Sequence, residues 1–239
     1  MKKTIFIILI IFLVPAVVFA EIPTRKLLLG YIEFPPYTYT SPSGKPEGIL
    51  IDLAAKVFPK AGYEWTALSY PVKRMAEYLG SGDIDIWMGL KTLPSFIEKT
   101  YIGNEIVADL LLNAYTIGKK SSITKKEDLV GKSVIILRGY SYGGWVNFIA
   151  DKKNNVHYIK ANKHLSALKM LKANRADYLL DYKEPVELAM DNIEIYDLQH
   201  NKISSLPCYF IVTKQLPDGA EIIKKLETVF LEMKKNGQL

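Results

Sequence analysis

Short apolar runs alternate with amphipathic helical stretches along most of this chain, and the alternation occurs twice. Leu27-Leu28-Leu29-Gly30-Tyr31-Ile32 reads as a buried strand, and the prolines of Glu33-Phe34-Pro35-Pro36-Tyr37 break it into a loop, since proline cannot continue a ladder. Residues 49–60 carry Leu50, Leu53, Ala54, Val57 and Phe58 at helical spacing, with Gly62 as a stop. Residues 63–68 alternate like a strand. Val72 to Leu79 is predicted as a short helix with Pro71 at its first turn and Gly80 and Gly82 at its end, and residues 84–88 as the next strand. A β-loop-α-β-α-β order requires an α/β layer around a parallel sheet.

The pattern then recurs. Residues 105–117 form a long apolar crossover. Strands are expected at 132–137, 156–159 and 177–180, and helices at 142–150, 164–173 and 184–190. A late strand (206–212) and an amphipathic helix (218–235, with Ile222, Ile223, Leu226, Val229 and Phe230 inward) have no neighbours in the second unit and are free to return to the first. Such a chain crosses twice between two units and leaves a cleft between them, a preferred place for small-molecule sites. The expected division is 21–110 for the first lobe, 111–203 for the second, and 204–239 returning to the first.

The first twenty residues are an address. Met1-Lys2-Lys3 is positive, residues 5–14 are unbroken apolar sequence, and Val18-Phe19-Ala20 suits a cleavage site before Glu21. The apolar run is shorter than the ~20 residues of a spanning helix, and position 21 is not cysteine, so a cleavable secretory signal and a periplasmic destination are expected. No later stretch is long and apolar enough to span a bilayer. One cysteine excludes an intrachain disulfide framework and a Cys-based zinc cluster, and three scattered histidines (His157, His164, His200) argue against a histidine metal site, so no metal or cofactor is implied. In an oxidising compartment Cys208, within an apolar run, is expected to be buried. The formal charge of +6 is dispersed among acidic residues and is not the clustered footprint of a nucleic-acid binder.

Several segments in order resemble the solute-binding protein family 3, the periplasmic amino-acid-binding components of ABC importers. Phe34-Pro35-Pro36-Tyr37 resembles the family's opening loop, and residues 48–53 (Gly-Ile-Leu-Ile-Asp-Leu) its "GFDIDL" helix entry. Residues 79–85 resemble "L..G..D", residues 126–134 resemble "..DLKGK.V", Gly139-Tyr140-Ser141 takes the place of a Gly-Thr/Ser loop, and residues 171–177 resemble "L..GR.D". The resemblance implies a type II periplasmic-binding-protein-like α/β fold: two lobes, each a mainly parallel sheet flanked by helices, with two crossovers between them.

It also implies site residues. By position Phe34 and then Tyr37 stack on the ligand; otherwise both are core. The family's threonine–arginine motif after the strand is altered: after Met88 the chain reads Gly89-Leu90-Lys91-Thr92-Leu93-Pro94-Ser95, with Ser95 where the carboxylate-gripping arginine belongs. Gly89 remains at the strand end, and Lys91 offers a point charge rather than a fork. Arg74 resembles the "P.KR" of a divergent branch, or is a solvated helix charge. Arg138 clamps a carboxylate or is a surface charge. Gly139 to Gly144, with Tyr140 and Ser141, precedes a helix, where free backbone N–H groups favour anions, or is an ordinary turn. Asp181 lies one residue short of the spacing of the family's ammonium-holding aspartate. A one-residue shift reverses a strand face, so Tyr182 takes the cleft position, and Asp181 either holds the ligand or caps the following helix.

Neither Gly-x-Ser-x-Gly nor His-Glu-x-x-His is present. The expected function is a non-enzymatic periplasmic receptor for a small polar solute, amino-acid-like or carboxylate-bearing, serving an ABC permease as a monomer. Two alternatives are carried. Cyclohexadienyl dehydratases share the family fold and use a cleft glutamate as general acid, and Glu184 stands near that position. A stand-alone ligand sensor for a membrane partner is the other, since the sequence carries no fused output domain.

Overall fold

The computed structural model describes residues 26–91 and 94–239. The expected leader with its Ala20–Glu21 junction, Thr92 and Leu93, and the side chains of Lys73, Pro94, Ser95 and Phe96 lie outside the described residues. In chain order the elements are β1 (Lys26–Tyr31), a small hairpin of β2 (Tyr39–Thr40) and β3 (Pro46–Glu47), α1 (Ile49–Lys60), β4 (Glu64–Ser69), α2 (Val72–Ser81), β5 (Ile86–Leu90), α3 (Pro94–Lys99), β6 (Thr100–Ile102), β7 (Ala108–Ile117), β8 (Ser133–Leu137), α4 (Trp145–Ala150), β9 (His157–Ala161), α5 (His164–Lys172), β10 (Tyr178–Tyr182), α6 (Lys183–Met190), β11 (Leu198–Thr213) and α7 (Gly219–Lys235).

The molecule is a two-lobed α/β type II periplasmic-binding-protein fold. Its strands run β4-β1-β5-β11-β7-β10-β8-β9, with β6 paired to β11. β4, β1 and β5 are mutually parallel, as are β10, β8 and β9. The two long strands between these groups are antiparallel to each other from Leu198↔Ile117 to Cys208↔Ala108, with a bulge between Lys202 and Ser204. The C-terminal part of β11 then pairs with β5, Cys208↔Leu90 to Val212↔Ile86. Against it Phe58 of α1 and Phe230 of α7 pack on Phe210, with ring centroids 6.3 and 6.1 Å apart. The late strand and last helix therefore complete the first lobe.

The helices expected at 49–60 and 164–173 form within one residue of those bounds. Other elements differ. β11 begins at Leu198 rather than Leu206, because the polar run Gln199–Lys202 pairs with β7 through its backbone and carries no apolar alternation. Gly80 lies inside α2, and Gly82 alone ends it, in the left-handed region at φ 88°. Residues 142–144 are a 3-10 turn before α4. The hairpin, α3 and β6 are additions to the expected list.

Each lobe closes its strand–helix–strand unit with the same device. The interval from Leu79 to Asp85 equals that from Leu171 to Asp177. In both, the helix ends on a left-handed residue at the matching place, Gly82 or Asn174 (φ 51°). In both, the aspartate accepts a backbone N–H from the neighbouring strand: Leu28 N to Asp85 Oδ2 at 2.8 Å, and Ser133 N to Asp177 Oδ2 at 3.0 Å. The "L..G..D" and "L..GR.D" resemblances thus rest on a structural pin, not on ligand chemistry. Asp177 also accepts from Ser133 Oγ at 2.7 Å and Lys120 Nζ at 3.0 Å. The hydrogen bonds from Ser133, followed by Lys120, hold its carboxyl down at about 2.

A depressed carboxyl pKa adds stability above its unfolded value, and that contribution is lost as pH falls through the folded value. Asp177→Asn is therefore expected to cost about 1 kcal/mol at neutral pH, less than full linkage because the site is partly exposed. In urea unfolding, the gap between variant and parent should narrow below roughly pH 4 and close near pH 2.

Candidate cleft site

The loop after β1 is built before it meets any ligand. Phe34 N donates to Thr38 O, Tyr37 N and Thr38 N donate to Phe34 O, and Thr38 Oγ1 donates to Ile32 O at 2.8 Å. Its carbonyls then receive the first N–H groups of α1: Ile49 N to Pro36 O at 3.0 Å and Leu50 N to Tyr37 O at 2.9 Å. This close approach requires Gly48. Its φ is 119°, and a Cβ there would stand 2.5 Å from Tyr37 O. The end of α1 is thus satisfied by its own loop.

Phe34 projects from this loop across the cleft. It stacks on Tyr37 (centroids 5.2 Å, 20°) and meets Tyr140 and Tyr182 of the second lobe edge-on at 5.5 and 5.3 Å. His164 lies 6.4 Å away. Beside this cluster is a cavity of about 210 Å³. Phe34, Tyr37, Gly89, Tyr140, Ser141 and Tyr182 all contribute to its wall, so the structure brings six of the expected site residues together. The apolar floor, including Met75, Trp87, Met88 and Leu110, was not anticipated. Gly89 allows part of it: a Cβ at Gly89 would lie 2.2 Å from the Trp87 ring.

The four charged candidates stand outside that wall. Arg74 is exposed, with Nη1 3.4 Å from Tyr78 Oη. Lys91 Nζ sits 4.4 Å from the Tyr209 ring centroid. Arg138 Nε donates to Asn162 Oδ1 at 3.1 Å. Asp181 is fully buried beneath the aromatic cluster; its Oδ2 lies 2.8 Å from His164 Nδ1, and its Oδ1 accepts Tyr182 N at 2.8 Å. It therefore neither lines the cavity nor caps α6 in the expected way. Burial raises its carboxyl, opposed by His164 and the Tyr182 N–H. Tyr182, not Asp181, reaches the cavity, as the reversed strand face required.

The 139–144 run is not a free helix start. Tyr142, Gly143 and Gly144 are successively left-handed (φ 48°, 61° and 91°), and Gly144 N donates back to Ser141 O at 2.9 Å. Tyr142 is wholly buried, and its phenol oxygen accepts Leu137 N at 2.9 Å.

Burial, the largest cause in each case, pushes the phenols of Tyr37, Tyr140 and Tyr182 well above the ordinary tyrosine range; Glu184 reinforces it at Tyr37, and Asp181 at the other two. Cys208 is buried as expected and also touches the cavity; burial, then Asp109, raises its thiol to about 12. At neutral pH these four wall groups are uncharged. Tyr37 also hydrogen-bonds Glu184 from across the cleft. Glu184 Oε2 is buried without a partner among the described residues.

Residues 28–95 match the model described as bacterial extracellular solute-binding proteins, family 3. No curated protein sequence matches the chain. Solved structures do. An ancestral arginine-binding protein bound to arginine is 22% identical, covers 89% of this chain and 94% of its own, and superposes with a TM-score of 0.69. A histidine kinase sensor domain with similarity to periplasmic binding proteins is 18% identical over 90% and 92%, at 0.72. The ancestral amino acid-binding protein AncCDT-1, a precursor of cyclohexadienyl dehydratase, is 17% identical over 89% and 91%, at 0.68. At these identities the structural likeness carries the fold, and over residues 28–95 the chain is similar to the bacterial extracellular solute-binding proteins, family 3.

Proposed function

We propose that this protein is a non-enzymatic receptor that captures one small organic solute in the cleft cavity and hands it to a membrane importer. On this reading residues 1–20 are a cleaved leader, the mature chain works as a periplasmic monomer, and its partner is an ABC permease. The lobes divide at 21–110, 111–203 and 204–239, and close on the solute by hinge motion along the crossover strands. Phe34, Tyr37, Gly89, Tyr140, Ser141 and Tyr182 hold the solute; Arg74, Lys91, Arg138 and Asp181 act on it only through a rearranged cleft. The observation that carries the reading is a cavity wall whose titratable groups are neutral at neutral pH and include no nucleophile–base pair. Such a wall suits capture without reaction. Among the described residues the wall holds no carboxylate clamp, so the apolar body of the solute contributes most of its contact.

A ligand that binds only the folded state raises stability by RT ln(1 + [L]/Kd), about 2.7 kcal/mol at a hundredfold excess over Kd. Thermal melting against amino acids, organic acids and amines, with each mixture checked for turnover, is expected to give a shift with one solute class and unchanged solute afterwards. Phe34→Ala should weaken that binding by about tenfold or more, since it removes a desolvated aromatic anchor.

One observation favours a second reading. The partnerless Glu184 Oε2, linked to the wall through Tyr37, is placed as a buried general acid would be. In that case arogenate or prephenate yields a dehydrated product, and Glu184→Gln abolishes it while leaving the melting shift in place. Product formation by the wild type would replace the receptor reading.

A further inference from the structure

The proton positions in the cavity wall are set by the protein behind it. Asp181 presents two oxygens, and each faces a nitrogen: Tyr182 N on Oδ1 and His164 Nδ1 on Oδ2, both at 2.8 Å. With Asp181 as a carboxylate both oxygens accept, which places the histidine proton on Nδ1. In the neutral ring Nε2 is then a lone pair. Tyr140 Oη lies 3.3 Å from it and must donate. What Tyr140, a wall residue, retains for a solute is its oxygen lone pairs.

Two other wall hydroxyls have committed their protons in the same way. Tyr37 donates to the Glu184 carboxylate, and Thr38 Oγ1 donates to the Ile32 carbonyl. The loop's N–H groups are engaged as well, by its own carbonyls. Ser141, at the exposed rim, and Tyr182 are the remaining wall hydroxyls. Around Tyr140 the cavity therefore offers an acceptor and aromatic faces, with Asp181 buried behind them. The cations Arg74, Lys91 and Arg138 lie outside it.

We infer that Tyr140, fixed as an acceptor by the Asp181–His164 pair, is the specificity-determining residue of the cleft, and that the solute it selects is an amine carrying an apolar body. This rests on the receptor reading and names its ligand chemistry. Aromatic faces favour a cation, but cation–π attraction alone does not require an N–H. The Tyr140 relay does.

Three probes separate these effects: 2-phenylethylamine, its N,N,N-trimethyl derivative and 3-phenylpropionate, titrated calorimetrically at pH 8. The wild-type protein should bind the amine about tenfold tighter than the trimethyl cation, the value of a charge-assisted hydrogen bond, and the carboxylate weakest. Asp181→Asn keeps an acceptor for Tyr182 N but turns a donor toward His164 Nδ1. That moves the ring proton to Nε2, and Tyr140 then donates into the cavity. The variant should lose roughly tenfold for the amine and gain for the carboxylate. If this buried substitution lowers the melting temperature too far for titration, Tyr140→Phe serves instead: it should erase the amine's advantage over the trimethyl cation with no gain for the carboxylate. Equal binding of the two cations by the wild type, an advantage that survives Tyr140→Phe, or a preference for the carboxylate overturns the inference. Silence of all three probes beside a hit in the broader solute panel also overturns it and leaves the receptor reading standing; silence in both removes both.

Discussion

Backbone pairing between β7 and β11 makes two small sheets into one molecule. Each strand is longer than any other in the chain's described residues, and each leaves one lobe to enter the next. Because they are antiparallel neighbours, the two crossovers are held in register by the same ladder that fills the sheet. Everything in the cleft inherits its position from this. The loop after β1 faces the loop after β8 across it, so that Phe34 can meet Tyr140 and Tyr182. The bulge between Lys202 and Ser204 lies within the ladder itself, where a locally disrupted pairing gives a twist to the strand that joins the lobes.

The cleft shows how hydrogen-bond supply decides what a pocket can recognise. Helix ends and loops after strands are anion sites by default, because their N–H groups point outward unpaired. Here those groups are occupied. The start of α1 is closed by Pro36 O and Tyr37 O, and the glycine run before α4 folds on itself. An aspartate expected to reach the ligand instead orients a histidine, and the histidine orients a phenol. A buried carboxylate that would be costly alone is held by two N–H donors and exerts its effect one hydrogen bond removed from the cavity.

The fold was largely legible from periodicity. Leu50, Ala54, Val57 and Phe58 on one helical stripe, and Gly82 at a helix end, report local rules that tertiary packing does not override. The polar half of β11 was not legible, because Gln199 to Lys202 pair through their backbone and carry no apolar alternation. In the site, Phe34, Tyr37, Tyr140, Ser141, Gly89 and Tyr182 followed from a loop or strand position matched to the family. Trp87 was within reach: Gly89 shares its strand face at i and i+2, and the indole lies over that gap. His164 was not, since its partnership with Asp181 joins the start of one helix to the end of a later strand. Arg74, Lys91 and Arg138 stand outside the cavity wall, since neither a motif position nor a charge says which way a side chain turns.

The return of β11 and α7 to the first lobe has a consequence for the order in which the protein can be assembled. A ribosome delivers β1, α1, β4, α2 and β5 first, yet the free edge of β5 has no partner until Cys208–Val212 exist. Phe58 likewise waits for Phe210, and Phe210 for Phe230. An unpaired parallel edge beside an uncovered apolar face is a template for pairing with other chains. The second lobe has no such delay beyond its own β11 segment, because β8, β9 and β10 and their helices are contiguous in the chain. Throughout synthesis, then, the nascent first lobe is the segment that a holding chaperone would keep apart from its neighbours.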